Sequence, residues 1–298
     1  MRCLVAVVGF NRPRHLELTL EALSCALLNK SSNFQVDIHV FVDRALSQNH
    51  LKENDNVVNL IKRKSLNYTY RENNYGLRRN IIDILKIFKK STYDNLILIE
   101  DDILIHRDAF NYFEDMFFKY EQDENIIQIS CFSPLKADKL DVFRHPRLST
   151  WCWGTWRSKL PDFDDCIVDW SEFDLSSWLT KNYYKLYCMP DVIDILEAQS
   201  SGKINAWSLD LLIYMINNNL QTIYPTSSLS LNIGHDGSGI NCGKQSLFNW
   251  RLRFGSNNFG NSKLNICNID ERSQMNFIRI FKNYYQPSII KRLSRLFL

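Results

Sequence analysis

The feature that most constrains this chain is an alternation of two patterns. "CLVAVVGF" (3–10), "VDIHVFVD" (36–43) and "NLILIEDDILI" (95–105) are near-continuous runs of aliphatic and β-branched residues. A strand that is apolar on both faces must be covered on both faces, which is the situation of a strand inside a parallel sheet. Between the runs lie amphipathic patterns. Leu16, Leu20, Leu23 and Leu27 recur at three- and four-residue spacing after Arg12-Pro13, and Ile81, Leu85 and Phe88 line one side of "NNYGLRRNIIDILKIFKK". A polar helix candidate and a short strand, "NYTYRE" (67–72), complete the series. Strands alternating with helices predict an α/β fold, with a mixed, mainly parallel sheet flanked by helices on both faces.

The alternation fades after residue 130. "IIQISCF" (126–132) reads as a further strand, "TWCWGTW" (150–156) as an aromatic loop and "PDFDDCIVDW" (161–170) as an acidic loop. Helices are expected over 190–202 and 207–219, and "LNIGHDGSGINCG" (231–243) reads as a Gly-rich loop. Residues 257–275 are polar and Asn-rich, as in a linker, and "PSIIKRLSRLFL" closes the chain as a short basic amphipathic helix. The expected organisation is one domain over 1–256, then linker and helix over 257–298.

Composition excludes several classes. A net charge of +3 over 298 residues is too mild for a dedicated nucleic-acid binder, so none is expected as a partner. The eight cysteines include no C-x-x-C pair, which argues against a zinc ribbon and for reduced, scattered thiols. No stretch approaches the roughly 18 to 20 apolar residues of a membrane span. The first apolar run is too short for a secretory leader. The expected compartment is the cytoplasm, extending to the inner face of its membrane.

Glu100, Asp101 and Asp102 stand side by side between two apolar runs. Adjacent carboxylates repel, and burying them is costly unless a cation offsets the charge. In open parallel sheets ligands bind beyond the carboxyl ends of the strands. "FNRP" (10–13), Asp43 and the acid trio all fall at such ends. Clustered acids there suit a hard divalent ion, Mn²⁺ or Mg²⁺, that shares its shell with phosphate oxygens.

The chain resembles the GT-A glycosyltransferases, in particular the N-acetylglucosaminyltransferase I-like enzymes and bacterial sugar transferases of cell-surface polysaccharide assembly. "VVGFNRPRHLELTLEAL", "NNYGLRRNI", "LILIEDD", "WCWGTW" and "NIGHDGSGINCG" carry the resemblance, in order, over about residues 1 to 245. It implies a nucleotide-diphosphate sugar donor, UDP-linked in the first instance, and a glycan acceptor that can be lipid-linked. It places Asp102 on the metal, Glu100 and Asp101 toward donor sugar and ribose, and Phe10, Asn11 and Arg12 around the nucleotide. Asp43 matches a carboxylate that contacts the nucleobase, and Arg78 a basic residue near the nucleotide. Inverting relatives use a carboxylate after a late tryptophan as general base. Here that acid is Asp210, three residues after Trp207, with Asp164 and Asp165 in reserve. His235 matches a late histidine ligand of the metal, although relatives more often carry the histidine nearer Asn241. Trp151, Trp153 and Trp156 are candidates for stacking on sugar faces.

Two other readings stand beside this one. A nucleotidyltransferase shares the sheet and the cation but calls for a more Gly-rich, basic first loop than "GFNRPRH". A non-catalytic sugar-binding module needs neither the acid trio nor a nucleotide-type first loop. At the far end, Ile289, Ile290, Leu293, Leu296 and Phe297 gather on one side, with Lys291, Arg292 and Arg295 around them. That is the make-up of a helix lying in an anionic membrane interface, so residues 287–298 are expected to give peripheral membrane contact.

Overall fold

A computed structural model describes residues 1–135, 137, 140–238, 275, 277 and 278. Its first half follows the alternation: β1 (Arg2–Gly9), α1 (Pro13–Asn29), β2 (Gln35–Val42), α2 (Gln48–Arg63), β3 (Asn67–Tyr70), α3 (Gly76–Lys89) and β4 (Asn95–Glu100). β1 pairs in parallel with both β2 and β4, and β2 with β3. Successive residues of β1 point into two different cores. Cys3, Val5 and Val7 pack with Leu16, Leu20 and Leu23 of α1 and Val57 of α2. Leu4, Ala6 and Val8 pack with Ile81, Leu85 and Phe88 of α3. Burial on both faces is why the strand reads as one unbroken apolar run. Pro13 opens α1, where its missing N–H costs no helical bond.

The second half is β5 (Ile103–Ile105), α4 (Ala109–Tyr120), β6 (Ile126–Ser130), β7 (Val142–His145), β8 (Trp153–Trp156), α5 (Phe163–Cys166), α6 (Leu175–Leu186), α7 (Pro190–Ser200), α8 (Ser208–Asn217), β9 (Gln221–Pro225) and β10 (Ser230–Asn232). The sheet runs β3-β2-β1-β4-β8-β6-β9-β7, and β5 pairs with β10 in a two-stranded sheet of its own. β8 is antiparallel to β4 and β6, and β7 is antiparallel to β9. The expected mixed, mainly parallel α/β architecture is the one observed.

Several local expectations are corrected. Residues 95–105 are not one strand, because Asp101 and Asp102 form a turn between β4 and β5. The aromatic stretch is not a loop throughout, because β8 inserts between β4 and β6. Gly154 permits this: a Cβ there would come within 2.5 Å of the Phe117 ring of α4. β7, β9, β10 and α6 have no clear periodicity in the sequence. The proposed 257–298 segment falls, save for three residues, outside the described residues.

His145, at the end of β7, is buried and packs against Phe277 with ring centroids 4.5 Å apart. Its Nδ1 accepts the Arg147 backbone N–H at 3.0 Å. Burial, reinforced by the Arg147 charge, pushes its pKa down to about 3. An unfolded histidine protonates near pH 6.5, so between these values the unfolded state binds more protons and stability falls as pH falls. His145→Gln is expected to flatten this acid limb by at most about 1.4 kcal/mol per pH unit. Urea unfolding midpoints measured across that window check it; an unchanged slope refutes it.

Candidate active site

β1 and β4 are neighbours, and from them the chain runs in opposite directions along the strand order, from β1 to β2 and from β4 to β6 beyond β8. The loops after their carboxyl ends therefore frame a crevice at the topological switch point. Arg12, after β1, reaches the acids after β4. Its Nη1 lies 2.9 Å from Asp102 Oδ2, and its Nη2 bonds Asp101 Oδ1. Asp101 also accepts the Phe10 backbone N–H, and its carbonyl accepts the Thr19 hydroxyl at 2.8 Å. Asp101 and Asp102 are only 3% and 4% exposed. One guanidinium does not balance three acids. Burial, then repulsion from Asp102 and Asp101, pushes Glu100 up to about 8. Burial, opposed by Arg12, pushes Asp101 up to about 6.

The Gly-rich stretch closes over the same acids. Ile233 donates its N–H to the Asp102 carbonyl at 2.8 Å. Gly234 lies so close that a Cβ would stand 2.0 Å from Asp102 Oδ2 and 3.1 Å from Arg12 Nη1. Gly234 is thus required for space, whereas Gly237 has the positive φ, 89°, that suits glycine. Next in the chain, His235 is half-buried and 5.5 Å from the Trp151 ring. Burial lowers its pKa, and nearby Asp102 opposes the shift. Arg12, Asp101, Asp102 and His235 are therefore brought together from widely separated positions.

Asp43 and Asn54 shape the adjoining wall. Asp43 Oδ1 accepts the N–H groups of Tyr75 and Arg44, at 2.8 and 2.9 Å, and Oδ2 accepts that of Gly76 at 2.8 Å. The carboxylate so anchors the start of α3 to the end of β2. Asn54 is fully buried; its amide donates to the carbonyls of Phe10 and Asp43, and its own oxygen accepts the Tyr70 hydroxyl. It joins the first loop, β2 and β3. Sequence reasoning passed over it as one polar residue in a polar helix. The signal was its spacing: 54, 57 and 61 share one helical face with buried Val57 and Ile61. Phe10 and Asn11 are half-buried in the same loop.

Arg78 and Asp210 meet as a two-pronged ion pair. Arg78 Nε lies 3.0 Å from Asp210 Oδ2, and Nη2 lies 2.9 Å from Oδ1 and 2.7 Å from Oδ2. Asp210 Oδ1 also accepts the Val168 N–H at 3.3 Å and the Trp170 indole N–H at 3.2 Å. Asp210 is 1% exposed. Burial raises its pKa, and Arg78 opposes that rise. Asp164 is exposed and paired with Lys86, and Asp165 lies in α5. Trp153 and Trp156 do not line the crevice. Trp153 is fully buried and stacked on Trp207, and Trp156 is buried with its indole N–H donated to the Phe117 carbonyl. Of the three tryptophans only Trp151, half-buried beside His235, borders the site.

No protein-family profile and no curated protein sequence matches the chain. Solved structures do. A structure of S. aureus TarS residues 1–349 is similar at 12% identity over 74% of this chain and 71% of that one, with a TM-score of 0.42. Against a longer TarS structure the match covers 48% of this chain and 21% of that one, at 15% identity and a TM-score of 0.31. The mannosyltransferase PcManGT from Pyrobaculum calidifontis, solved with GDP-Man and Mn²⁺, is similar at 14% identity over 52% and 44% of the two chains, with a TM-score of 0.37. A cytidylyltransferase from Leptospira borgpetersenii is similar at 14% identity over 62% and 73%, with a TM-score of 0.36. These are partial likenesses of fold.

Gly234→Ala puts a methyl group where Asp102 Oδ2 stands. It is expected to push that carboxylate off Arg12 and to lower the melting temperature, since overpacking a tight site costs about 1 to 3 kcal/mol. A thermal melt beside the wild type checks this; an unaltered melting temperature refutes the packing argument.

Proposed function

We propose that this chain is a glycosyltransferase that moves a sugar from a nucleoside-diphosphate donor, a UDP-sugar in the first instance, to a glycan hydroxyl. The observation that carries the reading is the convergence of Arg12, Asp101, Asp102, Gly234 and His235 at the sheet's switch point. The nucleotidyltransferase reading has the weaker support of a first loop with one glycine, Gly9, before Arg12. The residues fit a divalent cation. Among the described residues no three His, Cys, Asp or Glu side chains are grouped to hold an ion by themselves. Asp102 and His235 nevertheless offer a hard carboxylate and an imidazole, and Mn²⁺ or Mg²⁺ commonly takes one or two protein ligands and completes its shell from substrate phosphate and water. When bound, such an ion supplies the positive charge that a departing nucleoside diphosphate needs.

The chain's own groups do the rest. Arg12 and the loop of Phe10 and Asn11 receive the nucleotide, with Glu100 and Asp101 beneath it. The wall built by Asp43 borders the nucleobase, and Trp151 offers a face to a sugar. Asp210 is the acceptor-side base in this proposal. Burial moves its pKa in the direction a base requires, and Arg78 holds it oriented. Both its oxygens are engaged, so an acceptor hydroxyl must replace the two longest bonds, those from Val168 and Trp170. A single displacement with one base inverts the anomeric centre. The acceptor is a surface-polysaccharide or lipid-linked glycan. Residues 287–298, outside the described residues, would hold the enzyme to the cytoplasmic membrane face; none of the described helices is long and apolar enough to cross a membrane.

Asp102→Ala is expected to abolish Mn²⁺-dependent UDP binding with the fold intact by circular dichroism; unchanged affinity sinks the assignment. Asp210→Asn is expected to lower turnover by about two to four orders of magnitude while UDP affinity is kept. Near-normal turnover with a reduced melting temperature makes Asp210 an anchor for the 168–170 loop instead.

A further inference from the structure

We propose that Arg12 is the internal counter-ion of the cation site: it occupies the cation's place beside Asp102 until cation and diphosphate arrive together, and then passes to the diphosphate. This rests on the glycosyltransferase reading only for the identity of the nucleotide.

Three observations carry it. First, Asp101 and Asp102 are nearly inaccessible, and the positive group that bonds both is the Arg12 guanidinium. Second, Asp102 Oδ2 is enclosed. Arg12 Nη1 stands 2.9 Å away on one side, and Gly234 is packed so tightly on another that its Cβ would stand 2.0 Å off. A divalent ion bonds an oxygen at roughly 2.0 to 2.1 Å for Mg²⁺, so between Arg12 and Gly234 this oxygen has little room for one while the guanidinium stays. The two are also like charges and repel. Third, Arg12 immediately precedes α1, whose first turn is set by Pro13. The exchange therefore asks only for a side-chain swing. It would carry the guanidinium toward a phosphate group, which offers the paired oxygens that Arg matches best.

A coupling follows. A cation arriving alone must expel Arg12 with nothing to receive it. A diphosphate arriving alone must draw Arg12 away from two buried carboxylates. Together they exchange partners, and each positive charge ends beside a negative one. Each ligand should then raise the other's affinity by the same factor, since coupling between two binding equilibria is reciprocal.

The test uses the full-length protein, wild type, Arg12→Gln and Arg12→Lys. Mn²⁺ affinity is measured by electron paramagnetic resonance with and without UDP, and UDP affinity by calorimetry with and without Mn²⁺. In the wild type, each ligand is expected to tighten the other by about tenfold or more. In Arg12→Gln, Mn²⁺ alone should bind about tenfold more tightly than to the wild type, and the mutual factor should shrink. The variant should melt lower than the wild type without ligand, and Mn²⁺ alone should restore it. If Arg12→Gln does not fold, Arg12→Lys carries the test, because an ammonium that spans one carboxylate should also admit Mn²⁺ more readily. Equal or weaker Mn²⁺ binding without UDP in the folded variant overturns the proposal. The Mn²⁺-alone arm is independent of the nucleotide. Tighter Mn²⁺ binding by Arg12→Gln in a chain that never binds UDP keeps the Arg12 assignment and removes the nucleotide-sugar reading.

Discussion

The contact between Arg12 and the Asp101–Asp102 pair is the constraint around which the ligand end of this fold is arranged. Two carboxylates nearly shut off from water need a positive partner, since an uncompensated buried charge is strongly destabilising. The partner comes from the loop after β1, the strand beside β4. That choice fixes how the first loop lies, aims Thr19 of α1 at the Asp101 carbonyl, and leaves just enough room for Gly234 to close over Asp102. Burial first, and the neighbouring carboxylates after it, raise the pKa values of Glu100 and Asp101, and Arg12 opposes the rise.

The surrounding polar groups are of a different kind. Asp43 and Asn54 tie the loops together through backbone N–H and carbonyl groups, and the Asp43 charge is met by N–H dipoles rather than by a cationic side chain. Arg78 and Asp210 neutralise each other across α3 and α8, and draw in Val168 and Trp170. In the proposed reaction, a donor that brings a diphosphate and a cation goes to the acids that share Arg12, and a neutral hydroxyl acceptor to Asp210, which Arg78 already neutralises.

Much of the first half was legible because burial there has a period. Strands covered on both faces read as unbroken apolar runs, and α1 and α3 read at helical spacing. The second half was not, because β7, β9 and β10 have five residues or fewer and draw their burial from partners far away in the chain. "WCWGTW" misled for a related reason. An aromatic cluster looks the same in a sequence whether it faces sugar or core, and only the pairing of β8 with β4 and β6 turned Trp153 and Trp156 inward. Asn54 was visible only to a reading that took its place on the apolar stripe as seriously as its polarity.

By itself the sequence determined the class of fold and set three acids at the carboxyl end of a buried strand, because periodicity and chain order are local properties of the chain. It could say that the trio needed a cation. Only the tertiary structure decided that Arg12 fills that need within the protein, that Gly234 is there for space, and that Arg78 faces Asp210. Those pairs join residues 89, 132 and 132 positions apart, or strands brought side by side by sheet order. No local pattern encodes such distances; they are set by how the two cores pack against the sheet.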